Sequence, residues 1–293
     1  MTALTPIHVS GVVLALAVAT SIAFYAAPDI AWVVSGFLAF VGLVAVGIPH
    51  GALDVLTHSS RNARANPIAF MAGYICTIGI VLLGWWLLPT VTLACFLLLS
   101  AWHFGQADFE LWGIERGGMA WGIFVLAIIL GWHLDEVALI LSGIGISARV
   151  LLSMQGASSW IESTVIFGWI VGMGMALHQQ HKRWIMSLLL LACAPFLPVL
   201  IAFMFFFVGQ HSIAGWTHLK NGLEMSSLRL WAKAAPFHLG AWAIIVGGVY
   251  SLGVNESYTF HATVGWFFAF LGSISIPHIV ESHHFIRSSK NRN

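Results

Sequence analysis

The chain reads as a succession of apolar runs parted by short polar breaks. Each run is close to the roughly 20 residues needed to cross a hydrocarbon core about 30 Å thick. Ten runs can be drawn, near residues 8–27, 31–50, 67–88, 90–106, 118–133, 136–152, 160–177, 184–210, 235–252 and 260–281. The divisions at Pro89 and at Asp135-Glu136 rest on very short connections, so the expected range is roughly 8–10 spans. The fold class this predicts is an all-α, polytopic transmembrane helical bundle forming one integral membrane domain over residues 1–293.

Composition sharpens that reading. Hydrophobic residues make up 59% of the chain and charged ones 8%, with a mean hydropathy of +0.90, against about a quarter charged in a soluble domain. Such a chain cannot clothe itself for water. With the N-terminus inside, Arg61, Arg64, Arg116, Arg149, Lys220, Arg229, Lys233, Arg287, Lys290 and Arg292 all fall in cytoplasmic loops, and Lys182 and Arg183 fall outside. That asymmetry predicts two cytoplasmic termini. The basic residues thus act as topology signals, and a net charge of +1 predicts no nucleic-acid partner. Cys76, Cys95 and Cys193 sit inside apolar runs without CxxC spacing, which predicts packing rather than a disulfide or a thiolate zinc site. The first run has no basic leading region or cleavage site and reads as a retained span.

The histidines carry the chemistry. There are 14 of them against 11 acidic residues, and polar side chains at membrane depth are expensive enough to mark function. In the ten-run topology His50 ends the second run, His103 the fourth, His211 the eighth and His278 the tenth, so all four reach one membrane face. The partial negative charge at helix C-termini favours a cation there. Neutral imidazoles without thiolates suit iron, zinc, copper or nickel, and the residues alone do not choose among them. Asp54, four residues after His50, is expected on the same helix face within reach of its ring; Asp108, five after His103, and Glu281, three after His278, are weaker partners of the same kind. His218 lies seven residues, about 10.5 Å of helix rise, from His211 and is an auxiliary candidate, as are His283 and His284. His133, His178, His181 and His261 are expected at the opposite face, and His8, His58 and His238 in structural roles.

Two segments, Pro49-His50-Gly51-Ala52-Leu53-Asp54 and Trp102-His103-Phe104-Gly105-Gln106-Ala107-Asp108, resemble the bacteriorhodopsin-related protein-like (Brp/Blh) family of membrane β-carotene 15,15'-dioxygenases. His211-Ser212 after an aromatic span, and Pro277-His278 closing the last span, match the family in kind and order. The resemblance implies a multi-pass protein of the inner membrane of a bacterial or archaeal cell that binds Fe(2+) through histidines. It also implies cleavage of β-carotene, taken from the lipid bilayer, with O2 to retinal. By the same resemblance His50, His103 and His211 are iron ligands and catalytic residues. One position departs: four residues after His211 the family carries a second histidine, and here stands Gly215. His278, at matching depth, is the expected replacement ligand. Trp102, Phe104, Phe206, Phe207 and Trp216 flank the motifs as walls for a polyene. Two other classes remain at this point: a histidine-rich lipid desaturase or hydroxylase with two irons, and a non-catalytic carotenoid- or metal-binding membrane protein. Covalent retinal binding is disfavoured, since no span has a lysine in its middle.

Overall fold

A computed structural model describes residues 6–62, 66–254 and 259–290, and over these the chain is helical without a strand. The helices are α1 (Pro6–Ala26), α2 (Pro28–Gly42), α3 (Ile48–Gly51), α4 (Asp54–Arg61), α5 (Pro67–Leu87), α6 (Pro89–Trp112), α7 (Gly118–Gly131) and α8 (Leu134–Ser142). There follow α9 (Ala148–Gly156), α10 (Ser158–His178), α11 (Lys182–Leu191), α12 (Val199–Phe206), α13 (Ile213–Gly222), α14 (Ser227–Val254) and α15 (Phe260–Lys290). A π-helical turn, Leu43–Gly47, joins α2 to α3, and another, Phe207–Ser212, joins α12 to α13. Among the described residues eight continuous helical runs are long and apolar enough to cross a membrane, and the pair α7 and α8 makes a ninth if its bend is allowed within one span. Their outward faces carry exposed apolar side chains from end to end, as lipid-facing surfaces must. Tyr25, Trp86, Trp160 and Tyr250 are exposed at one shared end of the bundle, the position of an interfacial aromatic belt.

Two of the ten expected runs are not single spans as drawn. The run 136–152 turns 88° away from α7 and breaks into α8 and α9, because Gly143 and the positive-φ Gly145 interrupt it. The run 184–210 breaks at Ala194-Pro195-Phe196 and Pro198, leaving α11 with 10 residues, about 15 Å of rise and half a bilayer core. The true span there is Val199–Gly222. These changes alter the path of the chain. α10 returns to the end where α6 finishes, and His181 Nε2 lies 3.3 Å from the Trp112 carbonyl oxygen. His178 and His181 therefore sit at the same end as the termini of α6 and α13, a correction to the expected opposite face. Lys182 and Arg183 come with them to the end bearing Arg61, Arg116, Lys220 and Arg229. Arg149 moves the other way: it lies on α9 near Gly145, whose Cβ position is 3.9 Å from Pro89 at the far end. His261 stays at that far end, beside Gly143. Arg64 and Arg292 lie outside the described residues.

The tightest helix pair is α6 with α7. Gly105 faces the Gly118 backbone and Gly122 the Ala101 backbone, so closely that a Cβ at Gly105 or Gly122 would overlap main-chain atoms. Ala101 and Gly105 on one helix and Gly118 and Gly122 on the other, each pair four residues apart, form the small-residue seam by which membrane helices approach without a hydrophobic drive. That seam fixes α6, and α6 carries His103 between its two small residues.

Candidate metal centre

The four histidines singled out from the topology meet in the interior. Their rings alternate around a closed circuit: His50 to His211 is 5.6 Å between centroids, His211 to His103 4.9 Å, His103 to His278 5.4 Å and His278 to His50 5.1 Å. Every contact is edge to face, and all four residues are buried or nearly so. The expectation that they cap the spans is corrected by the structure. Each lies nine to eleven residues inside its helical run, counted to Arg61, Trp112, Gly222 and Ser288, or about 15 Å from that end. The helices simply continue past the apolar stretch, so the shared depth is deeper than the run boundaries suggested.

Local backbone explains how two of the rings are presented. A π turn widens the helix by one residue and releases a carbonyl from the regular ladder, which is why such turns recur at functional sites. In the first, the Gly47 carbonyl accepts a hydrogen bond from His50 Nδ1 at 2.6 Å. A carbonyl can only accept, so Nδ1 carries the proton and Nε2 keeps its lone pair. His50 Nε2 is buried with no partner. In the second, the Ser212 hydroxyl donates to the Phe207 carbonyl at 2.7 Å, and His211 projects with an unpartnered Nδ1. His103, on the regular helix α6, has no partner at either ring nitrogen.

His278 is held differently. Its Nδ1 donates to the Asp54 carboxylate, 3.0 Å from each oxygen, and Tyr74 donates its hydroxyl to Asp54 Oδ2 at 2.9 Å. Asp54 was expected to meet the ring of His50, four residues back. It does not: the regular helix is interrupted at Ala52-Leu53, and Asp54 begins α4. Asp108 touches none of the four rings: it accepts from Trp121 Nε1 at 2.7 Å and Gln210 Nε2 at 3.2 Å, tying α6 to α7 and to the turn that bears His211. Glu281 likewise turns away from His278, accepting from Thr57 at 2.8 Å and pairing with Arg61 and His58, which locks α4 to α15.

His218 stays outside the ring circuit, edge to face with Phe285. It shares with the four histidines a cavity of about 30 Å³, which Gly215 also lines. A Cβ at Gly215 would stand 3.5 Å from His50 Cδ2, so this position does look onto the centre although it offers no ligand. His283 meets Gln106 and lies tilted beside Trp102, 4.8 Å between centroids, apart from the centre. Tyr74, Gln106 and Gln210 were not singled out from the sequence, although a lone tyrosine within the apolar run 67–88 is the sort of signal that could have found the first.

On its other side the circuit opens into a much larger cavity of about 500 Å³. Its walls are apolar, with Phe96, Phe104, Phe203, Phe207 and Phe270 among them, and its polar groups are chiefly the four imidazoles, Asp54 and Tyr74. Of the expected aromatic walls, Phe104 and Phe207 line it. Size and character fit a ligand of elongated hydrocarbon type.

The model of the family described as beta-carotene 15,15'-dioxygenase matches residues 41–283, a stretch that contains all four histidines. The chain belongs to that family. A relative from an uncultured marine bacterium, 66A03, described as a beta-carotene 15,15'-dioxygenase, is 25% identical over 268 residues, covering 85% of this chain and 94% of its own length. No solved structure matches. Among the described residues of this dioxygenase-family chain, no three His, Cys, Asp or Glu side chains already stand as a closed metal shell. The four rings instead stand edge to face around the circuit, 4.9–5.6 Å between neighbouring centroids.

Proposed function

We propose that this protein is an iron-dependent membrane dioxygenase that cleaves β-carotene at its central double bond with O2, giving two molecules of retinal. The observation that carries the reading is the circuit of four imidazoles, with unpartnered buried nitrogens on His50, His103 and His211, at the wall of a large apolar cavity. Buried polar atoms are left without partners in few native sites, and a missing ion is one reason for those that are. The spacing agrees: imidazoles bound to one metal at about 2.1 Å place their ring centroids about 4.5–5.5 Å apart. Among the described residues no closed shell stands already, so binding would require the rings to adjust.

In this reading His50, His103, His211 and His278 hold Fe(2+), and His218 is an auxiliary residue across the small cavity. Iron bound there supplies the redox chemistry by which both atoms of O2 end up on the two carbons of the broken double bond. The protein does the rest. The Gly47 carbonyl and Asp54 hold the protons of His50 and His278 on Nδ1, so that Nε2 of each is free to bind. The phenyl rings lining the cavity exclude water and hold the polyene straight. The positive-inside rule puts the end bearing Lys182, Arg183 and Lys220 in the cytoplasm, together with the start of α1 and the end of α15.

Expression in cells that make β-carotene tests the activity: the carotene colour is expected to fade and retinal to appear in proportion. Retention of the colour by membranes that contain the folded protein would refute cleavage.

A further inference from the structure

A polyene broken at its middle carries equal arms on either side of the reacting bond, and the cavity has obvious room for only one of them. Along α6 its lining runs from Leu93 to His103, ten residues or about 15 Å. At its far end it is lined by Val137, Ile140 and Leu141 of α8 and by Ile144 just beyond that helix. Past the imidazoles in the other direction, the chamber beside Gly215 and His218 measures about 30 Å³, enough for a water or two. The second arm cannot lie there.

A third direction is open. α5 and α14 each pack on α15, but among the described residues they share no extensive packing with each other, and between them lies a cleft over the face of α15 that bears Ile274, Ser275 and His278. The sides of the cleft are Met71, Ile75 and Ile78 on α5 and Phe237, Gly240 and Ile244 on α14, all of which line the cavity. Ile75, Phe237 and Ile244 are also 60%, 41% and 50% exposed on the outer, lipid-facing surface. Side chains that face both the cavity and the outside mark the rim of an opening. Gly240 keeps that rim wide, since a Cβ built on it meets nothing within 4 Å. Tyr74, which holds Asp54 and through it His278, stands at the inner edge.

We propose that the cleft between α5 and α14 is a lateral entrance from the bilayer, through which an apolar polyene slides until its centre reaches the imidazoles, one arm filling the cavity and the other staying in the cleft. Gly240 and Ile75 are then specificity-determining residues that set how bulky the outer arm can be. The proposal rests on the carotenoid reading above, and binding separates the two.

The test uses full-length protein purified from carotene-producing cells, with the polyene retained per chain read from its visible absorption. The His103→Ala variant is expected to retain bound polyene. Adding Gly240→Trp should lower that retention at least about tenfold, since a filled mouth leaves too little buried surface for the ligand. In an otherwise native chain Gly240→Trp should depress retinal formation equally. Gly73→Trp is the control: Gly73 is an exposed position on α5 with open space around it, outside the cavity lining, and it should change neither readout. Undiminished polyene in the Gly240→Trp, His103→Ala protein would overturn the entrance, as would absence of polyene from His103→Ala itself. Polyene held by wild type without retinal formation would support the entrance while refuting cleavage.

Discussion

Replacing His103 by alanine is expected to lower retinal formation by more than about 100-fold, beyond the 10–100-fold that loss of an outer-shell partner costs a metal site. His103 is the member of the quartet with least other reason to exist. It is buried, neither ring nitrogen has a partner, and it stands between His211 at 4.9 Å and His278 at 5.4 Å. A purely structural histidine at this depth would make a hydrogen bond, because an unsatisfied buried polar group costs about 1–3 kcal/mol. Alanine removes that cost while opening a small void, so the metal-free fold should melt within a few degrees of wild type. The combination is diagnostic: activity and bound iron lost together, with metal-free stability kept. Retinal formation by His103→Ala at the wild-type rate would remove this residue from the site.

The second large effect is expected at Asp54, which never touches the metal in this account. Asp54→Asn preserves the shape but offers one acceptor oxygen where the carboxylate offers two. His278 Nδ1 stands 3.0 Å from both carboxylate oxygens and Tyr74 donates to one of them, so in either orientation of the amide the His278 N–H meets an amide N–H in place of one acceptor. His278 is then free to rotate or change tautomer. Iron affinity should fall about 10–100-fold, measured by titrating Fe(2+) into metal-free protein without oxygen. Tyr74→Phe, which leaves the bond from Asp54 to His278 intact, should fall much less. Equal affinities for wild type and Asp54→Asn would show that His278 needs no such support, and would weaken its place among the ligands.

Much of this is legible in the sequence alone. The helical bundle follows from hydropathy, because only helices satisfy their own backbone in lipid without closing a barrel. The convergence of His50, His103, His211 and His278 follows from their similar phase along successive runs. Other features were not legible, for identifiable reasons. A single span too many between residues 118 and 177 inverts everything up to the next error, and the break at Pro195 and Pro198 then restores the parity; hence His178 and His181 changed ends while His211 did not. The partner of Asp54 was misassigned because the four-residue rule holds only on an unbroken helix, and the turn at Ala52-Leu53 breaks it. Asp108 lay close to a motif histidine in sequence, yet its direction is set by Trp121 on the neighbouring helix, a tertiary fact with no local signal. The two π turns that present His50 and His211 also have no compositional mark.

Gly215 shows what each level contributes. As a departure from the family pattern it left the coordination incomplete. In the folded chain its Cβ position looks onto His50, while His278 arrives from α15 to close the circuit from a different direction. The centre thus keeps four imidazoles without a ligand at position 215.

The central claim is that these four residues hold one iron. The direct measurement is the metal content of protein purified without added chelator, compared across wild type and the alanine variants of His50, His103, His211 and His278. One iron per chain in wild type, depleted in each variant, is the predicted result. Two irons per chain, or one iron retained undiminished in all four variants, would contradict it.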